Sequence, residues 1–187
     1  MDSTRPGPWP QNEFPPRRLS YGTWTELGEE IHLSFFVHRP VTPAPRLTLV
    51  RDSLEYALEL YRSPKSFTEG AYGMGPDAYH NWLNAIDEHG ASHGNWWNAA
   101  VWAECRKYAG EYLGEIAGWY PSASASASAL ADELSGRYSA ISGMLYQVAD
   151  QTRPVGDKTL ILEELEALEL EANQALDGLL QALPQTE

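Results

Sequence analysis

Cysteine occurs once in this chain, at Cys105, so no disulfide can form within it. A single cysteine is compatible with a reducing compartment. No apolar run approaches the ~18–20 residues of a membrane span. The proline-rich N-terminus has no apolar core of the kind a secretory signal carries, so the chain reads as cytoplasmic. Basic residues are scarce after residue 65. Residues 66–187 hold five Lys/Arg against eighteen Asp/Glu, whereas residues 1–65 balance at eight against eight. The net charge of −13 therefore sits wholly in the second part. An acidic surface repels phosphate backbones and anionic lipid, which argues against nucleic-acid and membrane partners. There is also no Gly-rich phosphate loop, no Ser-His-Asp pattern and no paired-Cys motif.

What is present is a globular composition. Hydrophobic residues make up 43% and aromatics 11% of 187 residues, enough to bury one real core without staples. Residues 1–19 carry Pro6, Pro8, Pro10, Pro15 and Pro16 and read as a flexible arm. Residues 20–38 read as a β-hairpin. There Ile31, Leu33, Phe35 and Val37 alternate with His32, Ser34, Phe36 and His38. An isolated hairpin is marginal in water, so it must pack on other elements.

The remainder of 20–187 reads as one helical domain. Leu47, Val50, Leu54, Leu58 and Tyr61 recur at helical spacing, and Ser63-Pro64 stops that helix. Pro76 suits the first turn of a second helix with Tyr79, Trp82 and Ile86 as its stripe. Asn95 reads as the N-cap of a third helix, from about Trp96 to Trp119, whose apolar face is Val101, Cys105, Tyr108, Tyr112 and Ile116. The Ser-Ala repeat at 122–129 predicts a flexible connection or a frayed first turn. Leu130, Leu134, Ile141, Leu145 and Val148 mark a fourth helix. Ile161, Leu165, Leu168, Ala172, Leu176, Leu179 and Leu183 mark a fifth, with Asp157 as its cap. The expected fold is mainly α: a bundle of about five helices with a small N-terminal β-hairpin.

Groups that could carry chemistry concentrate between His80 and Arg106. His89 and His93 are four apart, but Gly90 and Gly94 argue for a loop, so no metal site and no cofactor is assigned. Cys105 falls inside its helix on the expected apolar face and reads as a small buried hydrophobe, not a nucleophile. No catalytic residue is assigned. Trp96, Trp97 and Trp102 cannot all face one side of a helix, so at least one is core; together with Tyr79, Trp82, Asn95 and Asn98, and with Glu104 beside them, they could form an aromatic pocket with amide hydrogen bonds. The bland alternatives are core aromatics and a helix cap. Glu104 and Arg106 read as members of ion pairs, and the glutamates at 163–171 as a solvated face.

Gly75-Pro-Asp-Ala-Tyr79-His-Asn-Trp82, with Asn95-Trp-Trp-Asn98-Ala-Ala-Val-Trp-Ala-Glu104-Cys-Arg106, resembles the C-terminal helical region of bacterial papain-like proteins similar to butirosin biosynthesis protein H. In that family an α/β domain bearing a catalytic Cys and His precedes the helical region. The resemblance covers about residues 20–150, and Ile31–Val37 resembles the last strand of the α/β part. No upstream cysteine exists here, so the family's catalytic residues map to no position. The resemblance implies a pocket or scaffold role for Tyr79, Trp82, Asn95, Asn98, Trp102, Glu104 and Arg106.

Three functional readings follow. The first is a non-catalytic helical domain that binds a small molecule or partner protein, as the accessory part of a papain-like acyltransferase or peptidase system. The second is an interaction or homo-oligomerisation module that uses the hairpin and the acidic C-terminal helix. The third is an enzyme with His80, His93 and Glu104 around its site.

Overall fold

The structure is a computed structural model and describes residues 42–63, 72–119 and 125–184. The expected arm at 1–19 and hairpin at 20–38 lie outside the described residues. Five helices are present: α1 (Arg46–Arg62), α2 (Pro76–His89), α3 (His93–Trp119), α4 (Ala125–Ala149) and α5 (Val155–Ala182). They belong to one compact unit, Ala44–Glu187. The chain is mainly helical, as its periodicity implies, with no strand among the described residues.

Helix α1 buries Leu47, Val50, Leu54 and Leu58, the stripe that a 3.6-residue period requires. Helix α2 starts on Pro76, whose missing N–H costs nothing at that position. It ends at Gly90, which adopts φ 64°, a conformation open to glycine at no steric cost. Ser92 caps α3: the backbone N–H of Asn95 donates to its Oγ at 3.2 Å, and the N–H of Trp96 donates to its carbonyl at 3.1 Å. Asn95 therefore sits inside the first turn and is not the cap. Proline 154 precedes α5 without a side-chain cap, which corrects the role expected of Asp157; that residue lies in the first turn, favourable for the helix dipole.

The most extensive contact in the bundle joins α3 to α4, and α5 then packs on α4, α2 and α1. The α3–α4 seam is built from small residues. Ala99, Ala103 and Gly110 of α3 are buried, as are Ala127, Ala131 and Ser142 of α4. A Cβ placed on Gly110 would lie 3.1 Å from the Ser135 carbonyl oxygen and from Ser139 Oγ, so the backbones approach closely enough that even an alanine would press on α4. Ser142 donates to the Ala103 carbonyl at 2.7 Å across this seam.

That seam overturns the expected apolar face of α3. Val101, Cys105 and Tyr108 are exposed, and only Ile116 of the expected stripe is fully buried. The helix turns its alanines inward because small side chains allow a closer approach to α4. The Ser-Ala repeat is partly absorbed into α4, with Ala127 fully buried. In α5 the buried residues are Lys158, Leu162, Leu165, Glu169, Ala172, Leu176 and Leu179, so one of the glutamates expected on the solvated face lies in the core.

Candidate functional site

Helix α2 presents Tyr79 and Trp82 three residues apart, on one face, with ring centroids 6.2 Å apart. The Trp82 indole N–H donates to Asn95 Oδ1 at 2.7 Å, which ties α2 to the first turn of α3. An indole nitrogen can only donate, so this bond fixes the Asn95 amide with its oxygen toward Trp82. Asn95 is 7% exposed, and its Nδ2 is buried with no hydrogen-bond partner among the described residues.

One helical turn after Trp102, Arg106 reaches α5. Its Nε–H donates to Glu169 Oε1 at 2.5 Å, and the Tyr79 hydroxyl donates to the same oxygen at 3.3 Å. Glu169 is 4% exposed. A carboxylate this deep needs a cation and hydrogen bonds to offset its desolvation, and Arg106 and Tyr79 supply them. The guanidinium carbon of Arg106 also lies 5.1 Å from the centroid of the Trp102 ring and 5.8 Å from that of Tyr138. On α5, Asn173 donates its Nδ2 to the Glu169 carbonyl at 2.8 Å.

Protonation follows from this packing. Burial, reinforced by the Glu169 carboxylate, holds the Tyr79 phenol far above its ordinary range. The same two causes push Tyr138 up to about 12. Burial pulls against the Arg106 charge, but the Glu169 carboxylate and the bond to it outweigh burial and leave the guanidinium more firmly protonated than usual. The cluster is thus a cation, an anion and two neutral phenols at neutral pH.

These groups open into a cavity of about 830 Å³ bounded by α2, α3 and α5, with Tyr61 of α1 and Tyr138 of α4 at its edges. Sites for small organic ligands span about 300–1,000 Å³. The walls carry aromatic rings, three of them well exposed: Tyr72 at 83%, Trp97 at 60% and Trp102 at 44%. Polar groups are interspersed, including Asn95, Asn98, Asn173 and Glu166.

Of the candidate residues read from the sequence, the structure brings Tyr79, Trp82, Asn95, Trp97, Asn98, Trp102 and Arg106 to this cavity. Trp96 is half-buried against the core, its ring 5.1 Å from that of His93, and does not line the cavity. Glu104 is exposed and also lies outside it. His80 and His93 are exposed, and among the described residues no three His, Cys, Asp or Glu gather in a way that could hold a metal. The pairing of Arg106 with Glu169 and the approach of Tyr138 and Asn173 escaped the sequence reading. One signal was available: Glu169 falls between Leu165 and Ala172 at helical spacing, inside the apolar row of α5.

The described helices thus define a small helical bundle with an aromatic, amide-rich cavity. Comparison with family models, with curated proteins and with solved structures finds no match. Among the described residues no helix is long and apolar enough to cross a membrane.

Proposed function

We propose that this helical unit binds a small organic molecule in the cavity between α2, α3 and α5, and serves as a recognition part rather than as the catalyst. The observation that carries this reading is the cavity itself, about 830 Å³, walled by aromatic rings and side-chain amides around the fixed Arg106–Glu169 ion pair. Concave, mostly apolar sites with a few convergent polar groups are the usual form of small-molecule sites. The resemblance to the helical region of papain-like acyltransferases and peptidases suggests the setting: an accessory domain for a catalytic chain supplied elsewhere, in the cytoplasm.

The test is a thermal-shift screen of the purified chain against a library of polar metabolites, repeated with Trp82→Ala and Asn98→Ala. Binders should raise the melting temperature of the parent, and both variants, still helical by circular dichroism, should lose that shift. A shift that survives both replacements sinks the reading.

A second reading is favoured by one observation. Trp97, Val101, Cys105 and Tyr108 form an outward stripe along α3, all exposed. Exposed apolar rows of this kind suit a partner protein or a second copy of the chain. Solution mass measurement tests self-association, and a monomer at high concentration counts against it.

A further inference from the structure

We infer that the ligand of this cavity is an uncharged, polyhydroxylated ring compound, a saccharide of one to three rings. This rests on the cavity being a small-molecule site, and it follows from charge, from hydrogen-bond polarity and from the shape of the walls.

Charge comes first. The acidic and strongly basic side chains at the cavity are Arg106, Glu166 and Glu169, a sum of one minus two, or −1. The chain itself carries −13. An anionic ligand therefore enters against both the local and the overall field. A cationic ligand meets a resident cation, because the Arg106 guanidinium already lies over the Trp102 and Tyr138 rings where an ammonium would sit. Arg106 and Glu169 neutralise each other, and what they leave open is hydrogen-bonding capacity rather than charge.

The hydrogen-bond polarity is mixed. Asn173 commits one of its two Nδ2 hydrogens to the Glu169 carbonyl, which leaves the second hydrogen and Oδ1, a donor and an acceptor on one side chain. The second oxygen of Glu169 and the two terminal nitrogens of Arg106 make no hydrogen bond among the described residues, so acceptor and donor again lie side by side. A carboxylate or phosphate only accepts and would oppose the acceptors. An ammonium only donates and would leave the donors unpaired. A hydroxyl does both. A trans peptide group also does both, but its planar geometry places N–H and C=O on opposite sides, so one group cannot serve adjacent donor and acceptor. Neighbouring hydroxyls on a ring can.

The walls fit the remaining surface of such a ring. Trp97, exposed at 60%, and Trp102, exposed at 44%, are broad apolar faces at the cavity. A sugar ring presents C–H groups on its faces and hydroxyls at its rim, matching aromatic walls around polar forks. A volume of about 830 Å³ accommodates more than one ring.

Ligand-observed saturation-transfer NMR on the full chain tests this, with cellobiose and maltotriose as neutral probes. Trialanine, spermidine and citrate represent the amide, cationic and anionic alternatives. The expected result is saturation of the sugar ring C–H protons. Affinity should fall at least tenfold in Trp97→Ala, an exposed position whose loss leaves the fold intact, and in Asn95→Asp, which removes its amide donor and adds charge. Circular dichroism and the melting temperature show whether each variant is folded. Binding of trialanine, spermidine or citrate without either sugar overturns the saccharide inference and leaves the cavity reading standing. Binding of no probe overturns both, as does sugar binding unchanged in a folded Trp97→Ala.

Discussion

Arg106 and Glu169, from helices 63 positions apart in sequence, share a 2.5 Å hydrogen bond beside the cavity, with Glu169 almost wholly buried. Removing one partner of such a pair leaves the other charged and unsolvated. Glu169→Ala should destabilise the fold by about 3 kcal/mol, read as a lower urea midpoint. The double variant Arg106→Met/Glu169→Met should recover much of that loss, because it leaves no orphan charge. A double variant as unstable as the single one would show that shape rather than charge dominates here.

Stability should also respond to alkaline pH. The Tyr138 phenol titrates at about 12 in the folded chain against 10.0 in its ordinary state. A group whose folded pKa is raised contributes stability that is complete below the unfolded value. That stability is lost as the pH climbs between the two values. Urea unfolding should therefore weaken from pH 10 towards pH 12. In Tyr138→Phe the slope across this window should be shallower, since the variant keeps the ring but has no proton to lose. Equal slopes would refute the assignment.

Glycines separate two environments on the same pair of helices. Gly110 faces the Ser135 carbonyl and Ser139, while Gly143 has nothing within 4 Å of where its Cβ would be. Gly143→Ala should stabilise α4 by about 0.5–1 kcal/mol through helix propensity. Gly110→Leu should cost about 1–3 kcal/mol by overpacking the seam. Chemical denaturation of the two variants gives opposite signs if the seam is as close as described.

Cys105 is exposed on α3. It should react with a disulfide reagent such as Ellman's in the native state, at a rate little changed by urea. Protection that disappears only on unfolding would return Cys105 to the core.

How much of this was readable in advance depends on the physical origin of each element. Helix α1 was legible because its aliphatic residues carry both the period and the burial. Helix α3 was legible as a helix but not in its orientation. Its inward face is made of Ala99, Ala103 and Gly110, which have little hydrophobic contrast, while its large side chains point outward. The start of α3 was offset because Ser92 and Asn95 both have capping side chains, and only Trp82, thirteen residues earlier, decides which of them is needed elsewhere. Tyr79, Trp82, Asn95 and Asn98 could be grouped from local spacing. The partners of Glu169 could not, since Arg106 and Tyr79 arrive from distant helices.

The acidic and amide groups on the α5 side of the cavity, Glu166, Glu169 and Asn173, come from one helix, at intervals of three and four. They are teeth on a single rack. A slip of α5 by one turn would carry all three along the cavity wall together and part Glu169 from Arg106 and Tyr79, so the polar lining is tied to the registration of one rod. Conversely, Glu166 and Asn173 can be exchanged as a pair to change the polar lining of the cavity while the tight seam between α3 and α4 is left untouched.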